Sequence, residues 1–451
     1  MARPALIRGG LAAAVTALAV LSPAQAQTDV RGALELEGRW FDVRDGDGLS
    51  GSVAGLVDIY QPLADPDLSL VAELFYRRDS ADPHRSHGDV RQAFVQAVGR
   101  SIEINAGYRR VFWGVTESRS LVDIINQSDL VEDIDGGAKL GQPMLQLRWL
   151  AESGTGDLFV LPAARERTFP GPEGHPRIPF PIARGASRFP DGEQRRLDYA
   201  LRWQWRLPDI DLGISWFDGT ARAPDMLPCL AQGSDFPGTA SGPNCDLEAA
   251  APQVGPLAGA LVDVLQVLRL APDDDALEAA ARERVLDNLV LVPDYGRTRR
   301  AGLDLQVLRG GLALRLEALA RRRDGEWTLA SVSGLEYTLP GFFATDWDVG
   351  VLAEHLYDQR DDNVFSQRFA NDVFVGTRIS FNDLAGSTLL AGAIVEPDLG
   401  NRLFSVELSR RFLTNWRVTL DARVLSDLPD DPLVDLIDGQ DRVRLQLQRF
   451  F

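Results

Sequence analysis

The chain has 451 residues, 45% apolar and 25% charged, with 65 acidic against 47 basic side chains and a formal net charge of −18. A phosphate backbone would repel that balance, so nucleic acid is excluded as a partner. The mean hydropathy of −0.11 is that of an ordinary soluble protein, for which this length suggests two or three domains.

The N-terminus argues against that picture. Arg3 and Arg8 give a basic start, Gly9 to Leu21 form a short apolar stretch, and Ala24-Gln25-Ala26 has the small-x-small character of a cleavage site. Residues 1–26 therefore read as a secretory signal peptide, too short in its apolar part to span a membrane. No Cys follows the site, so a lipid anchor is not expected there, and the mature protein is placed from near Gln27. Beyond it no apolar run reaches the roughly 18 residues of a membrane helix. A β-barrel escapes that test, because each strand alternates a lipid-facing apolar residue with an interior polar one.

In chain order, Val30, Leu34, Leu36 and Trp40 alternate with Arg31, Glu35, Glu37 and Arg39. Ile102, Ile104, Ala106 and Tyr108 alternate with Glu103, Asn105, Gly107 and Arg109. The clearest segment sets Leu197, Tyr199, Leu201, Trp203, Trp205 and Leu207 against Asp198, Ala200, Arg202, Gln204 and Arg206. Further on, Leu312, Leu314 and Leu316 alternate with Ala313, Arg315 and Glu317, and Trp416 to Val424 with Arg417, Asp421 and Arg423. A period of two held throughout is the signature of strands. About 18 such segments (16–20) are expected, forming one all-β, antiparallel, up-and-down transmembrane barrel over 27–451.

Loop lengths support this count. The longest gaps, 113–141, 163–195 and 219–295, all fall at odd-numbered connections and are expected to be external. Even-numbered connections such as Gly99-Arg100 and Arg309-Gly310 are short, as periplasmic turns are. The last strand, Asp441 to Phe451, ends on the aromatic residue that barrel-assembly machinery reads; Arg449 interrupts its outward face. The acidity admits two readings, plain solubility or external loops facing cation-rich lipopolysaccharide.

Both cysteines, Cys229 and Cys245, lie in the longest loop. In an oxidising envelope a disulfide is the expected state, two free thiols the alternative. Pro256 to Leu270 carries leucines and valines at helical spacing, and Asp273 to Asp275 precede Ala276 to Leu289, so a helical hairpin over about 256–289 is expected at the barrel mouth.

The segment Val111-Phe112-Trp113-Gly114, continuing to Asp123-Ile124-Ile125-Asn126, reads as a strand entering a long ordered loop. It resembles a group of Gram-negative outer-membrane barrels related to the alginate-export porins. The likeness extends to Gly334 to Tyr337, Leu352 to Glu354, Asn371 to Arg378 and Asn382-Asp383. It implies a solute channel with a folded-in loop.

Catalytic and metal signals are weak, and no cofactor is expected. His84 and His87 share a loop near Asp82 and Asp89, a pattern more often incidental than metal-binding. Asp42 to Gly48 has acidic residues but lacks the bidentate Glu of a calcium loop. The expected function is an outer-membrane channel for small polar or charged solutes. Its candidate lining residues are Arg31, Glu35, Arg109, Arg202, Arg315, Glu317, Arg378, Asp421, Arg423 and Arg444. The alternatives are an export barrel working with an inner-membrane or periplasmic machine, or a barrel-scaffolded enzyme or adhesin.

Overall fold

The computed structural model describes residues 27–43, 48–134, 136–177, 180–231, 243–245, 289–323, 325–359, 371–397, 402–426 and 441–451. The first nine strands are β1 (Asp29–Phe41), β2 (Leu49–Pro62), β3 (Leu68–Asp79), β4 (Gly88–Val98), β5 (Ile102–Arg109), β6 (Gln142–Ala151), β7 (Gly154–Leu161), β8 (Asp198–Leu207) and β9 (Ile210–Thr220). A short ribbon follows, β10 (Asp225–Leu230) and β11 (Leu289–Asp294). Then come β12 (Arg297–Arg309), β13 (Leu312–Arg323), β14 (Glu326–Leu339), β15 (Asp348–Asp358) and β16 (Asn371–Ser380). The wall is completed by β17 (Thr388–Val395), β18 (Arg402–Phe412), β19 (Trp416–Ser426) and β20 (Arg442–Phe450).

Apart from β10 and β11, all strands belong to one 18-stranded sheet. Sequential neighbours pair antiparallel, β9 pairs with β12, and β20 returns to β1, so the sheet closes and leaves no unpaired edge. Each strand predicted from alternation is present.

Register aligns the outward residues across strands. Leu147 on β6 faces Leu158 on β7, which faces Leu201 on β8, which faces Trp216 on β9. All four are exposed, while the alternating Gln146, Asp157, Arg202 and Ser215 lie on the inner face. Exposed Trp40, Tyr108, Trp149, Trp216, Trp327 and Tyr337 supply aromatic residues at the two rims.

The closing seam explains both features of the C-terminus. Phe451 exchanges backbone hydrogen bonds with Gly32 at 3.0 and 3.1 Å. Its ring occupies the space of a residue-32 side chain, 2.5 Å from where a Cβ would stand, so a side chain there would have to displace the ring. Arg449 faces outward opposite Trp416, with its guanidinium 5.6 Å from the indole centroid. A cation over an aromatic face at the rim accounts for the one charged interruption.

The longest described-strand gaps, 110–141, 162–197 and 221–296, share one rim, and two-residue connections such as 208–209 and 310–311 share the other. In the longest gap the hairpin expected over 256–289 falls, except for Leu289, outside the described residues. Leu289 itself opens a strand rather than closing a helix. The only helical elements among the described residues are three-residue 3-10 turns. The β10–β11 ribbon was not foreseen: Leu289, Leu291 and Val292 are fully buried, and bridges Ile182 to Leu291 and Arg188 to Asp294 dock it on the 162–197 loop. The Cys229–Cys245 disulfide closes its tip, with Leu230 bridged to Asn244 beside it.

Candidate functional site: a loop folded into the barrel

Strand β5 ends at Arg109, three residues earlier than alternation suggested, and the chain then turns into the barrel. Asn126 fastens the base of this excursion. Its Oδ1 accepts the Val111 N–H at 2.9 Å, and its Nδ2 donates to the carbonyls of Arg109 and Leu140, each at 2.9 Å. One buried amide thus clamps both ends of the loop to each other.

Inside, the loop packs first on the near wall. Trp113, Val122, Ile124 and Ile125 form a buried cluster with Met144, Phe159, Leu161, Ala200 and Phe217, which are interior positions of β6 to β9. Burying this much apolar surface, at about 25 cal/mol per Å², holds the loop in place of water. Leu121 reaches a farther stretch of wall, separated from the first by β12, joining Leu319, Val332, Leu352, Leu356 and Phe374 of β13 to β16.

Two glutamates of that far wall grip the tip. Glu317 on β13 is fully buried. Its Oε1 accepts the N–H groups of Val115 and Thr116 at 2.7 and 3.1 Å, and its Oε2 those of Leu121 and Val122 at 2.6 and 3.2 Å. The hydroxyls of Thr116 and Ser120 lie 2.8 and 3.1 Å away. A carboxylate met by four converging backbone N–H groups has its charge delocalised over their dipoles without a cation. Glu354 on β15 repeats the motif, accepting the N–H groups of Glu117 and Ser118, each at 2.8 Å. Gly114 makes the bend possible: at φ +144, an added Cβ would lie 2.3 Å from the Ser120 hydroxyl.

Charges pin the rest of the loop. Lys139, the chain's single lysine, pairs with buried Asp123 at 3.2 Å. Burial raises the Asp123 pKa, and the Lys139 ammonium only partly offsets it. Asp129 binds Arg91 at 2.7 Å, His87 at 3.4 Å and the Thr168 hydroxyl at 2.6 Å. Burial opposes its ionisation, but His87 and Arg91 prevail and hold its pKa at about 2. His87 is likewise disfavoured as a cation by burial, yet the Asp129 and Glu132 carboxylates raise its pKa. This histidine, which looked incidental in the sequence, joins the loop to the wall. Among the described residues no metal-ligating cluster includes His84 or His87.

The ten candidate lining residues separate by environment. Arg202 is buried, bidentate to Asp304 at 2.7 and 2.8 Å, with its guanidinium 5.1 Å from the Trp113 ring, and like Glu317 it is sealed beneath the loop. Asp421 is buried among Arg442 at 2.7 Å, Arg444 at 3.6 Å and Arg423 at 3.8 Å, and Arg423 also reaches Asp133 on the loop at 3.6 Å. Glu35 pairs with Arg77 at 2.7 Å, and Arg109 hydrogen-bonds Gln146 beside Glu103. Arg31, exposed, binds Asp29 near the short-turn rim.

Arg315 and Arg378 border an open recess of about 480 Å³ between the loop and the β12 to β16 wall, with Phe112, Thr116, Glu117, Gln306 and Glu336. Sequence reasoning missed Phe112, Glu117, Gln306 and Glu336. Phe112 and Glu117 lie on the loop, whose path no local pattern specifies. Interior apolar positions such as Phe159 and Phe217 were the available signal, since an apolar residue facing a barrel interior needs a cover.

A closed up-and-down sheet, apolar outside and ionic inside, defines a transmembrane β-barrel. No protein-family model matches this chain, and no curated protein matches it. Among solved structures it is similar to Pseudomonas aeruginosa OccK3 (OpdO), at 10% identity and a TM-score of 0.49, covering 94% of this chain and 96% of that one. It is also similar to Pseudomonas aeruginosa OpdQ, at 8% identity and TM-score 0.47, covering 94% and 98%. Salmonella typhi OmpF, in complex with daunomycin, matches at 9% identity and TM-score 0.44, again covering 94% and 98%.

Proposed function

We propose that the protein is an outer-membrane channel that lets small polar or charged solutes past a fixed internal constriction. The observation that carries this reading is the loop fastened across the interior by Glu317 and Glu354, beside a recess bordered by Arg315, Arg378, Glu117 and Glu336. An 18-stranded barrel is wide enough to enclose an aqueous path. A loop held by buried carboxylates narrows that path without depending on membrane or partner, and charges of both signs around it discriminate by charge and size. In this reading residues 1–26 direct export and are cleaved, the long-loop rim faces outward, and Phe451 faces the periplasm. The fit of the Phe451 ring over Gly32 supports a C-terminal strand recognised during barrel assembly, and the acidic outer loops suit contact with lipopolysaccharide and its cations.

Planar-bilayer recordings of the purified protein test the proposal: discrete steps of ionic conductance are expected. Silence from both the intact protein and a variant lacking residues 252–290 would sink it.

The finer reading, an export barrel of the alginate-export-related kind, rests on the Trp113-Gly114 and Asp123 to Asn126 segment. The clamp made by Asn126 supports a folded-in loop, which that resemblance implies. Co-purification of an inner-membrane or periplasmic machine with the barrel would favour export over free diffusion. A barrel-scaffolded enzyme or adhesin would instead lose its activity on His84→Ala or His355→Ala.

A further inference from the structure

The recess beside the loop has a composition that the channel reading alone does not require. Arg315, Glu336, Arg378 and Glu117 form an alternating row: Arg315 to Glu336 is 2.7 Å, Arg378 to the other oxygen of Glu336 is 3.8 Å, and Arg378 also binds Glu117. The four charges sum to zero. These pairs do not enclose Arg378, whose side chain stays 41% exposed at the border of the recess. Next to the row stands Phe112, an aromatic side chain 71% exposed although it lies on the inserted loop. A volume of about 480 Å³ falls within the range of small-molecule sites, roughly 300–1,000 Å³.

We infer that this recess is a binding subsite for zwitterionic solutes with an apolar body, the chemical class of apolar α-amino acids, in the channel proposed above. A lone anion would meet the exposed Arg378 guanidinium but also Glu117 and Glu336. A lone cation meets the converse. A molecule that carries both charges a few ångströms apart engages Arg378 with its carboxylate and Glu336 or Glu117 with its ammonium. Its side chain then covers Phe112, whose exposure to water is otherwise unfavourable. Arg378, with a side chain 41% exposed, exchanges partners at low cost because a pair so open to solvent contributes at most about 1 kcal/mol.

The test is single-channel recording of the full-length protein with L-phenylalanine, 3-phenylpropionate, 2-phenylethylamine and glycine as probes. L-Phenylalanine is expected to interrupt the current at a concentration about tenfold below that of each other probe, a difference of about 1.4 kcal/mol. Phe112→Ala and Arg378→Gln should each remove that advantage, with block measured against the open current of the same variant. Equal block by 3-phenylpropionate would make this a simple anion site, and equal block by glycine would remove Phe112 from it. Either result overturns the inference, as does a conducting channel indifferent to all four probes, which leaves the channel reading standing. Absence of any conductance would overturn both.

Discussion

Glu317 and Arg378 face the same interior from neighbouring parts of the wall, on β13 and β16, and the same alternation points both inward. Their surroundings are opposite. Glu317 is fully buried and receives four backbone N–H groups from the loop. Arg378 is 41% exposed and borders the recess. An inward charge in a barrel is therefore not by itself a wet one. What separates a structural pin from a solute-facing group is whether the folded-in loop lies over it.

The largest test of this contrast is removal of the pin. Glu317→Ala strands four loop N–H groups in a buried site, and is expected to lower stability by about 3 kcal/mol or more. Freed from the far wall, the loop should also give larger and noisier conductance. A quiet, unchanged channel would mean that Glu354 and the apolar cluster suffice to hold it. Second in size is the sealed pair beneath the loop: Arg202→Met should cost about 3–5 kcal/mol by leaving Asp304 buried and unpaired. The double variant with Asp304→Leu should recover much of that loss in a denaturant titration, because a buried pair is worth little against apolar packing.

The β10–β11 ribbon offers a smaller effect, confined to its own loop. The Cys229–Cys245 link spans 16 residues, a closure worth about 3 kcal/mol in the chain-entropy model. Cys229→Ser with Cys245→Ser should speed proteolysis near 225–245 and leave barrel melting unchanged.

The loop's hold at His87 and Asp129 should vary with pH. The raised His87 pKa contributes fully below the unfolded value of about 6.5 and is lost as pH rises through the higher folded value. The lowered Asp129 pKa contributes above about 3.9 and is lost as pH falls toward about 2. Amide protection over 127–133, taken relative to the intrinsic exchange rate at each pH, should therefore be highest between about pH 4 and 6.5, and His87→Ala should abolish the upper limb. Smallest of all, Arg378→Gln should change melting by less than about 1 kcal/mol. A stability loss there as large as at Glu317 would erase the distinction between the two sites.

Much of this was legible in the residues. Leu197 to Leu207 alternates without a fault, and each such segment became a wall strand, because lipid favours apolar residues on the outer face and the ladder satisfies the backbone. The cysteine pair and the long-loop rim were legible for similarly local reasons. The β10–β11 ribbon was not, since buried Leu291 lies where the 162–197 loop docks, through bridges at Leu291 and Asp294 that no local pattern marks. Nor was the recess, whose Phe112 and Glu117 lie about 200 residues or more from Arg315, Glu336 and Arg378 in the chain.

By itself the sequence determined a barrel of about 18 strands (16–20) and which face of each strand is apolar, because a period of two is a local property of each strand. Only the tertiary structure decided which inward charges are pinned and which are free. That depends on where one loop, clamped by Asn126 and held by Glu317 and Glu354, crosses the interior. The crossing joins residues about 200 positions or more apart through backbone N–H groups that every residue but proline possesses, and such donors leave no mark in a sequence.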